Sequence, residues 1–436
     1  VLAAQQAIAD GFNGGWLRPE RLRDAGLDAE VDRAAGRVLG SMFAAGLFDR
    51  PADARIPSEA ATPARRDLAF RAALSGIVLL KNDAAALPLD PGRLRSLAVI
   101  GPNAAKTRAG GGSSKVETRH AVAPLDAIRD RLGPGVRVDY ALGASMDGET
   151  PADDGTDARD AQRAEAVRIA AAADVAGVIV GRYAGLERAG FDIRAMDLPS
   201  GQNELIAAVA AVNPRTVVVL NTGAPVAVRP WLDRIPALLT MWYGGEQGGP
   251  ALAAALFGDA DPGGRLPLTF PRTWADSPVY ATFPGREQVA EYAEGIFVGY
   301  RHYDARNVAP QFPFGHGLSY ASFAFSDLAV IAEGDGARVR LSIRNTGSRA
   351  GVAVPQIYVH DGHAPLPRPP RELKAFRRLA LAPGESQEVE FALDRRTFSY
   401  YDPERGTWVA APGRFRIDAA ASSRDIRRSV DFDLVK

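Results

Sequence analysis

The chain has 436 residues, 46% of them apolar, and sets 52 basic side chains against 52 acidic ones. That length buries a sizeable core and implies two or three domains, and the balanced charge excludes an acidic tail or an electrostatic nucleic-acid binder. There is no cysteine, which excludes disulfides, thiolate metal sites and cysteine nucleophiles.

Lysine stands only at 81, 106, 115, 374 and 436; the arginine bias reads as genome composition, not as a binding signal. No apolar run reaches membrane-spanning length. The chain opens at Val1 in what reads as mid-helix, so an N-terminal signal would not be visible. Zero cysteine fits a cytoplasm or a bacterial periplasm. The expected compartment is the periplasm or the cell exterior, with the cytoplasm left open.

Residues 1–50 read as helices. "DAEVDRAAGRVLGSMFAAGLFD" sets Val31, Ala35, Val38, Leu39, Met42 and Phe43 at helical spacing, with Gly46 as a C-cap. Residues 51–65 form a Pro- and Ala-rich linker. From 66 to 320 short apolar strands alternate with helices. "LAFRAALSGIVLLKN" reads as a helix, "SLAVIGP" as a buried strand, "PLDAIRDRLG" as a helix and "VRVDYALG" as a strand. "DARDAQRAEAVRIAAAA" continues as a helix, "DVAGVIVG" as a strand and "SGQNELIAAVAAVN" as a helix with Ser200 at its N-cap. "RTVVVLNTG", "PALLTMWYGG" and "EQGGPALAAALFG" read as strand, strand and helix. This pattern predicts a mostly parallel sheet with helices on both faces, an α/β sandwich. Ligands then bind at the carboxyl ends of the strands, where the loops 101–123, 181–200, 221–230 and 243–249 would gather. From 321 to 436 the period becomes two, in segments such as "ARVRLSIRNTG", "AVPQIYVHD" and "GRFRIDAAAS", which predicts an all-β sandwich.

"GPNAAKTRAGGGSSKV" is a glycine-rich loop after a strand, but it lacks the Gly-Lys-Ser/Thr ending of a phosphate loop. Its glycines permit close backbone approach to a ligand; a flexible surface loop is the alternative. The loop 182–199 carries Glu187 and Asp192, either as solvated surface charges or as candidates for acid–base work at a strand end. "WYGGEQGG" offers aromatic faces and amides for a sugar, while Trp242 itself reads more readily as core packing. The five histidines lack metal spacing, "HDGH" reads as a surface loop, and no nucleophile elbow is present.

Taken in order, "IVLLKNDAAALPL", "LAVIGPNA", "GGGSSKV", "APLDAIR", "GFDIRAMDLPSGQNELI", "VVVLNTGAPV", "MWYGGEQGGPALAAALFG", "DPGGRLPLTFP", "EGIFVGYRHYD" and "FPFGHGLSY" resemble the C-terminal part of glycoside hydrolase family 3, the β-glucosidase and β-xylosidase group. The resemblance implies that 1–50 are the last helices of a barrel domain, 66–320 an α/β sandwich and 321–436 a fibronectin type III-like sandwich. It also implies a retaining, exo-acting β-glucosidase without metal or organic cofactor, acting on a β-glucoside or oligosaccharide.

Two departures from the family pattern stand out. The nucleophilic aspartate, in a Ser/Thr-Asp-Trp context, has no counterpart in this chain, so a barrel-bearing chain or segment is the implied partner, with a homo-oligomer as another expectation. The acid/base glutamate usually precedes Gly-aromatic-Asp; that slot is Ala189, and the arginine that often follows the aspartate is Ile193. Glu187 is the candidate substitute acid. Two residues of extended chain move a side chain roughly 6–7 Å, whereas a general acid works at about 3 Å. Gly111, Gly112, Ser113, Asp192 and Trp242 are the substrate-binding candidates. The competing reading is a non-catalytic carbohydrate-binding or structural subunit derived from such an enzyme.

Overall fold

A computed structural model describes residues 26–49, 62–116, 118, 120–146, 156–193, 195–286 and 289–435. By its contacts the chain divides into two units, Val1–Arg65 and Arg66–Lys436.

Within the first unit, α1 (Asp28–Ala44) forms as its apolar spacing predicts and buries no residue. Val31, Val38, Leu39 and Phe43 are all exposed. The rest of the predicted barrel helices and most of the predicted linker lie outside the described residues. α2 (Pro63–Gly76) begins inside the stretch read as linker.

The second unit departs from expectation at its start. "LAFRAALSGIVLLKN" is not one helix: α2 ends at Gly76 and β1 (Val78–Asn82) follows. The helix-poor glycine stops the Ala-rich turns, and the continuous apolar run after it is fully buried, as suits a strand. Five further strands complete the sheet: β2 (Ser96–Ile100), β3 (Arg137–Ala141), β4 (Val175–Gly181), β5 (Thr216–Asn221) and β6 (Ala237–Thr240). Their order is β1-β6-β5-β4-β2-β3. β2 to β6 are mutually parallel, and β1 runs antiparallel at the edge against β6.

Side-chain alternation sends the strands into two cores. Val78, Ile100, Val178 and Leu220 face one layer with α4 (Thr156–Ala171) and α5 (Gln202–Val212); Leu79, Val99, Ile179 and Val219 face the other with α3 (Pro124–Leu132) and α7 (Gly248–Leu256). The four-residue α6 (Arg229–Leu232) seats the fully buried Trp231 in the first core. α5 starts one residue later than read: Gly201, at φ 73, holds the N-cap position, and Ser200 makes the turn before it.

β2 has β3 on one side and β4 on the other, so the sheet winds in opposite directions from that point. The crevice outside the carboxyl ends of β2 and β4 is the topological switch point, where open α/β sheets bind ligands. The glycine-rich loop leaves β2 there, and the loop 182–199 leaves β4 beside it.

A last short helix, α8 (Tyr300–Ala305), precedes the β-sandwich. Its strands are β7 (Phe323–Glu333), β8 (Gly336–Asn345), β9 (Gly351–Ala353), β10 (Gln356–Asp361), β11 (Glu372–Phe376), β12 (Leu379–Leu381), β13 (Ser386–Leu393), β14 (Tyr400–Asp402), β15 (Thr407–Val409), β16 (Gly413–Ser422) and β17 (Asp425–Leu434). The larger sheets are β11-β10-β16-β17 and β13-β8-β7, all antiparallel, and β12-β9 and β14-β15 are two-stranded. Val339, Leu341, Ile357, Phe415 and Ile417 fill the space between them. Asp261 ties this sandwich to the sheet domain, accepting from Val352 N at 2.8 Å, Ser319 Oγ at 2.8 Å and Tyr320 N at 2.7 Å.

Candidate active site

The loop 182–199 is built around a buried ion pair. Arg182 follows β4 directly, and its guanidinium lies 3.1 Å from Glu187, the two side chains being only 3% and 8% exposed. Arg182 also donates to Ala195 O at 3.0 Å and Asp197 O at 3.2 Å, so one cation fixes both limbs of the loop. The second oxygen of Glu187 accepts from Gly223 N at 2.6 Å and from the Tyr243 hydroxyl. Burial first, and then the bond to Glu187, push the Tyr243 phenol far above its usual range, so it stays a donor. The backbone joins in: Gly111 N donates to Glu187 O at 2.8 Å. Asn103, buried, donates to Arg182 O and to Asn221 Oδ1, and Asn221 donates to Trp242 O. Loops from the ends of β2, β4, β5 and β6 are thereby tied into one polar network.

Each candidate residue has a definite place in this geometry. Both oxygens of Glu187 are occupied, one by a cation and the other by two donors. A general acid must present its proton to the substrate's leaving oxygen at about 3 Å; Glu187 instead has its oxygens turned to Arg182, Gly223 and Tyr243. Ala189 is exposed at the loop tip, where its methyl meets the glycine-rich loop: a Cβ on Gly112, whose φ is +61, would stand 3.0 Å from the Cβ of Ala189. A Cβ on Gly111 would come within 2.5 Å of Ala184 O. These glycines allow the close approach of two loops. Ser113 is exposed on the short turn Gly112–Ser114. Trp242 joins the group only through its carbonyl: its indole donates to Gly76 O at 2.9 Å and its ring packs against the first core. Tyr243 is the aromatic that reaches the loop.

Phe191, Asp192 and Ile193 line a cavity of about 1650 Å³, whose other lining residues include Trp274, Phe283, Tyr300, Tyr303 and Phe314. Arg188 lies over the Phe191 ring at 3.5 Å. Among the described residues no cluster of histidine, aspartate and glutamate fits a metal ion. Arg182, Tyr243, Asn103 and Asn221 were not singled out from the sequence. The available signal was a polar residue at or just after the end of a buried strand.

Residues 77–320 match the glycosyl hydrolase family 3 C-terminal domain, and residues 353–423 match a fibronectin type III-like domain. The thermostable β-glucosidase B of Acetivibrio thermocellus is 38% identical over 401 residues, 91% of this chain and 51% of that protein. An exo-α-(1→6)-L-arabinopyranosidase of Bifidobacterium breve is 38% identical over 84% of this chain and 48% of its own length. The crystal structure of a Bifidobacterium adolescentis GH3 β-glucosidase superposes with a TM-score of 0.82 at 35% identity, covering 99% of this chain and 60% of that one. The chain thus spans about half the length of the curated relatives it matches. The loops at the switch point, the two-domain order and these matches together establish that the chain belongs to glycosyl hydrolase family 3, of which it carries the C-terminal domain and a fibronectin type III-like domain.

Proposed function

We propose that the chain is the C-terminal portion of a retaining, exo-acting β-glycosidase, a β-glucosidase first of all, in which loop 182–199 borders the sugar site without supplying a proton donor. An aspartate from a barrel segment attacks the anomeric carbon, and the proton donor's place, about 5–5.5 Å away in a retaining enzyme, falls at position 189. Glu187 is a positioning residue: its buried pair with Arg182 shapes the loop that brings position 189 to the glycine-rich loop. With a methyl at 189, only aglycones that depart as stable anions leave at speed. Terminal β-D-glucose is the favoured sugar because the relatives named for an activity are mostly β-glucosidases; the bifidobacterial relative makes an arabinopyranoside the second choice. The observation that supports the reading most is the four-loop clamp at the switch point.

A second reading has its own support. The occupied carboxylate of Glu187 and the bare methyl of Ala189 suit a carbohydrate-binding or structural subunit that has lost catalysis. Joining the chain to a family 3 barrel with its Ser/Thr-Asp-Trp segment separates the two. The first reading expects turnover of dinitrophenyl β-glucoside that vanishes when the barrel aspartate becomes asparagine. Absence of turnover, with glucose or cello-oligosaccharide binding retained, would favour the second.

A further inference from the structure

The β-sandwich bonds to residues that line the large cavity. The tight turn between β16 and β17 is preformed, since the Ser422 hydroxyl accepts from the amides of Arg424 and Asp425 at 3.3 and 3.1 Å. From that turn Arg424 pairs with Asp304 at 2.5 Å, and the Asp304 side chain is only 4% exposed. Arg424 also donates to Tyr303 O at 2.9 Å and to Val308 O at 3.2 Å. Beside it, Ser423 N donates to Phe314 O at 2.9 Å, and Arg371 donates to Ser423 O at 2.7 Å. Leu373 of β11 donates its amide to the Tyr300 hydroxyl at 2.8 Å. The Tyr300 ring is stacked on Phe314, centroids 4.7 Å apart, and meets Tyr358 of the sandwich edge-on.

Tyr300, Tyr303 and Phe314 line the same cavity as Phe191, Asp192 and Ile193. α8 has six residues, too few to hold its own shape in water. Bonds from the sandwich, together with the burial of Tyr303, hold it in place. From this we infer that Arg424 is a positioning residue: the β16–β17 turn is a latch by which the fibronectin-like domain sets the part of the cavity wall formed by Tyr300, Tyr303 and Phe314. The domain is then a working part of the site's architecture and not an appendage. The inference goes beyond the proposed activity and holds for either reading of it.

The test uses the full chain with Arg424→Ala, Arg424→Lys and the near-isosteric Asp304→Asn. Hydrogen exchange is read at the amides of Arg306, Val308 and Phe312, all hydrogen-bonded in the folded chain. Arg424→Ala should speed exchange there on the order of tenfold or more, while amides of β5 and β8 stay protected, as expected of a local opening. Arg424→Lys keeps the charge opposite Asp304 but not the fork to two carbonyls, so it should recover part of the protection. Trp274, on the same cavity, supplies a second signature. Its emission, isolated by difference against Trp274→Phe, should shift to the red in Arg424→Ala and return part of the way in Arg424→Lys. If Arg424→Ala fails to fold, Asp304→Asn is read in the same way. Unchanged exchange over residues 301–314, or equal loss of protection across β5 and β8, would overturn the inference.

Discussion

Glu187 and Arg182 are two opposite charges with almost no access to water, each held by further hydrogen bonds. Removing one partner of such a pair strands the other, at a cost of about 3–5 kcal/mol. Glu187→Gln should therefore destabilise the chain by that order in urea unfolding, and Tyr243→Phe, which deletes one hydrogen bond, by about 1 kcal/mol. A Glu187→Gln chain as stable as the parent would show that the pair does not hold the loop. The sequence displayed Glu187 as a loop carboxylate and Ala189 as an occupied slot. It did not display what Glu187 is bonded to, because Arg182, Gly223 and Tyr243 meet it only after three strands have paired. Trp242 illustrates the same limit. It adjoins Tyr243 in sequence, yet a backbone φ of 50 at Trp242 turns its ring toward Gly76 while Tyr243 turns toward Glu187.

The elements were legible where one period ran long enough to speak for itself. β2, β4 and β5 are short apolar runs closed by turn residues, and α3 and α4 carry polar faces of helical spacing. The reading failed at 68–82, where an Ala-rich helix and an apolar strand meet with only Gly76 between them. A fully buried strand has no alternation to distinguish it from a buried helix. The edge role of β1 was equally hidden: its outer side is covered by Leu318, whose amide donates to Leu79 O at 2.8 Å, a contact across the whole domain. α1 poses the opposite case, since its helix was plain and its apolar stripe is exposed. A stripe of that kind signals association. The chain should sediment or scatter as more than a monomer, and Val38→Glu with Phe43→Glu should return it to one; a monodisperse parent chain would contradict this.

At the scale of the molecule, the change from alternating elements to period-two strands marked the two domains, whereas the bonds that join them were invisible in the sequence. Glu372 belongs to that join, with Arg368 at 2.5 Å, Lys374 at 2.9 Å and Arg301 at 3.9 Å. Burial works to raise its pKa, but these three cations outweigh burial and hold the carboxyl below its ordinary 4.5. A lowered folded pKa contributes stability that is present above the unfolded value and is lost as pH falls through the folded one. The urea midpoint should thus decline below about pH 4.5, and Glu372→Gln should flatten that decline; an unchanged acid limb would count against it. The chain by itself should not hydrolyse aryl β-glucosides, since no glycosyl-enzyme forms without the aspartate; turnover by purified chain would refute this. The central claim is that loop 182–199 is a glycosidase loop whose proton donor is missing at 189, with Glu187 spent as a strut. The most direct measurement is kcat/KM for an alkyl β-glucoside, with the chain joined to a barrel, before and after Ala189→Glu. A restored general acid should raise it about 10²–10⁴-fold while leaving dinitrophenyl β-glucoside nearly unchanged. No gain from Ala189→Glu, together with loss of alkyl glucoside activity on Glu187→Gln in the Ala189 protein, would make Glu187 the acid and contradict the account.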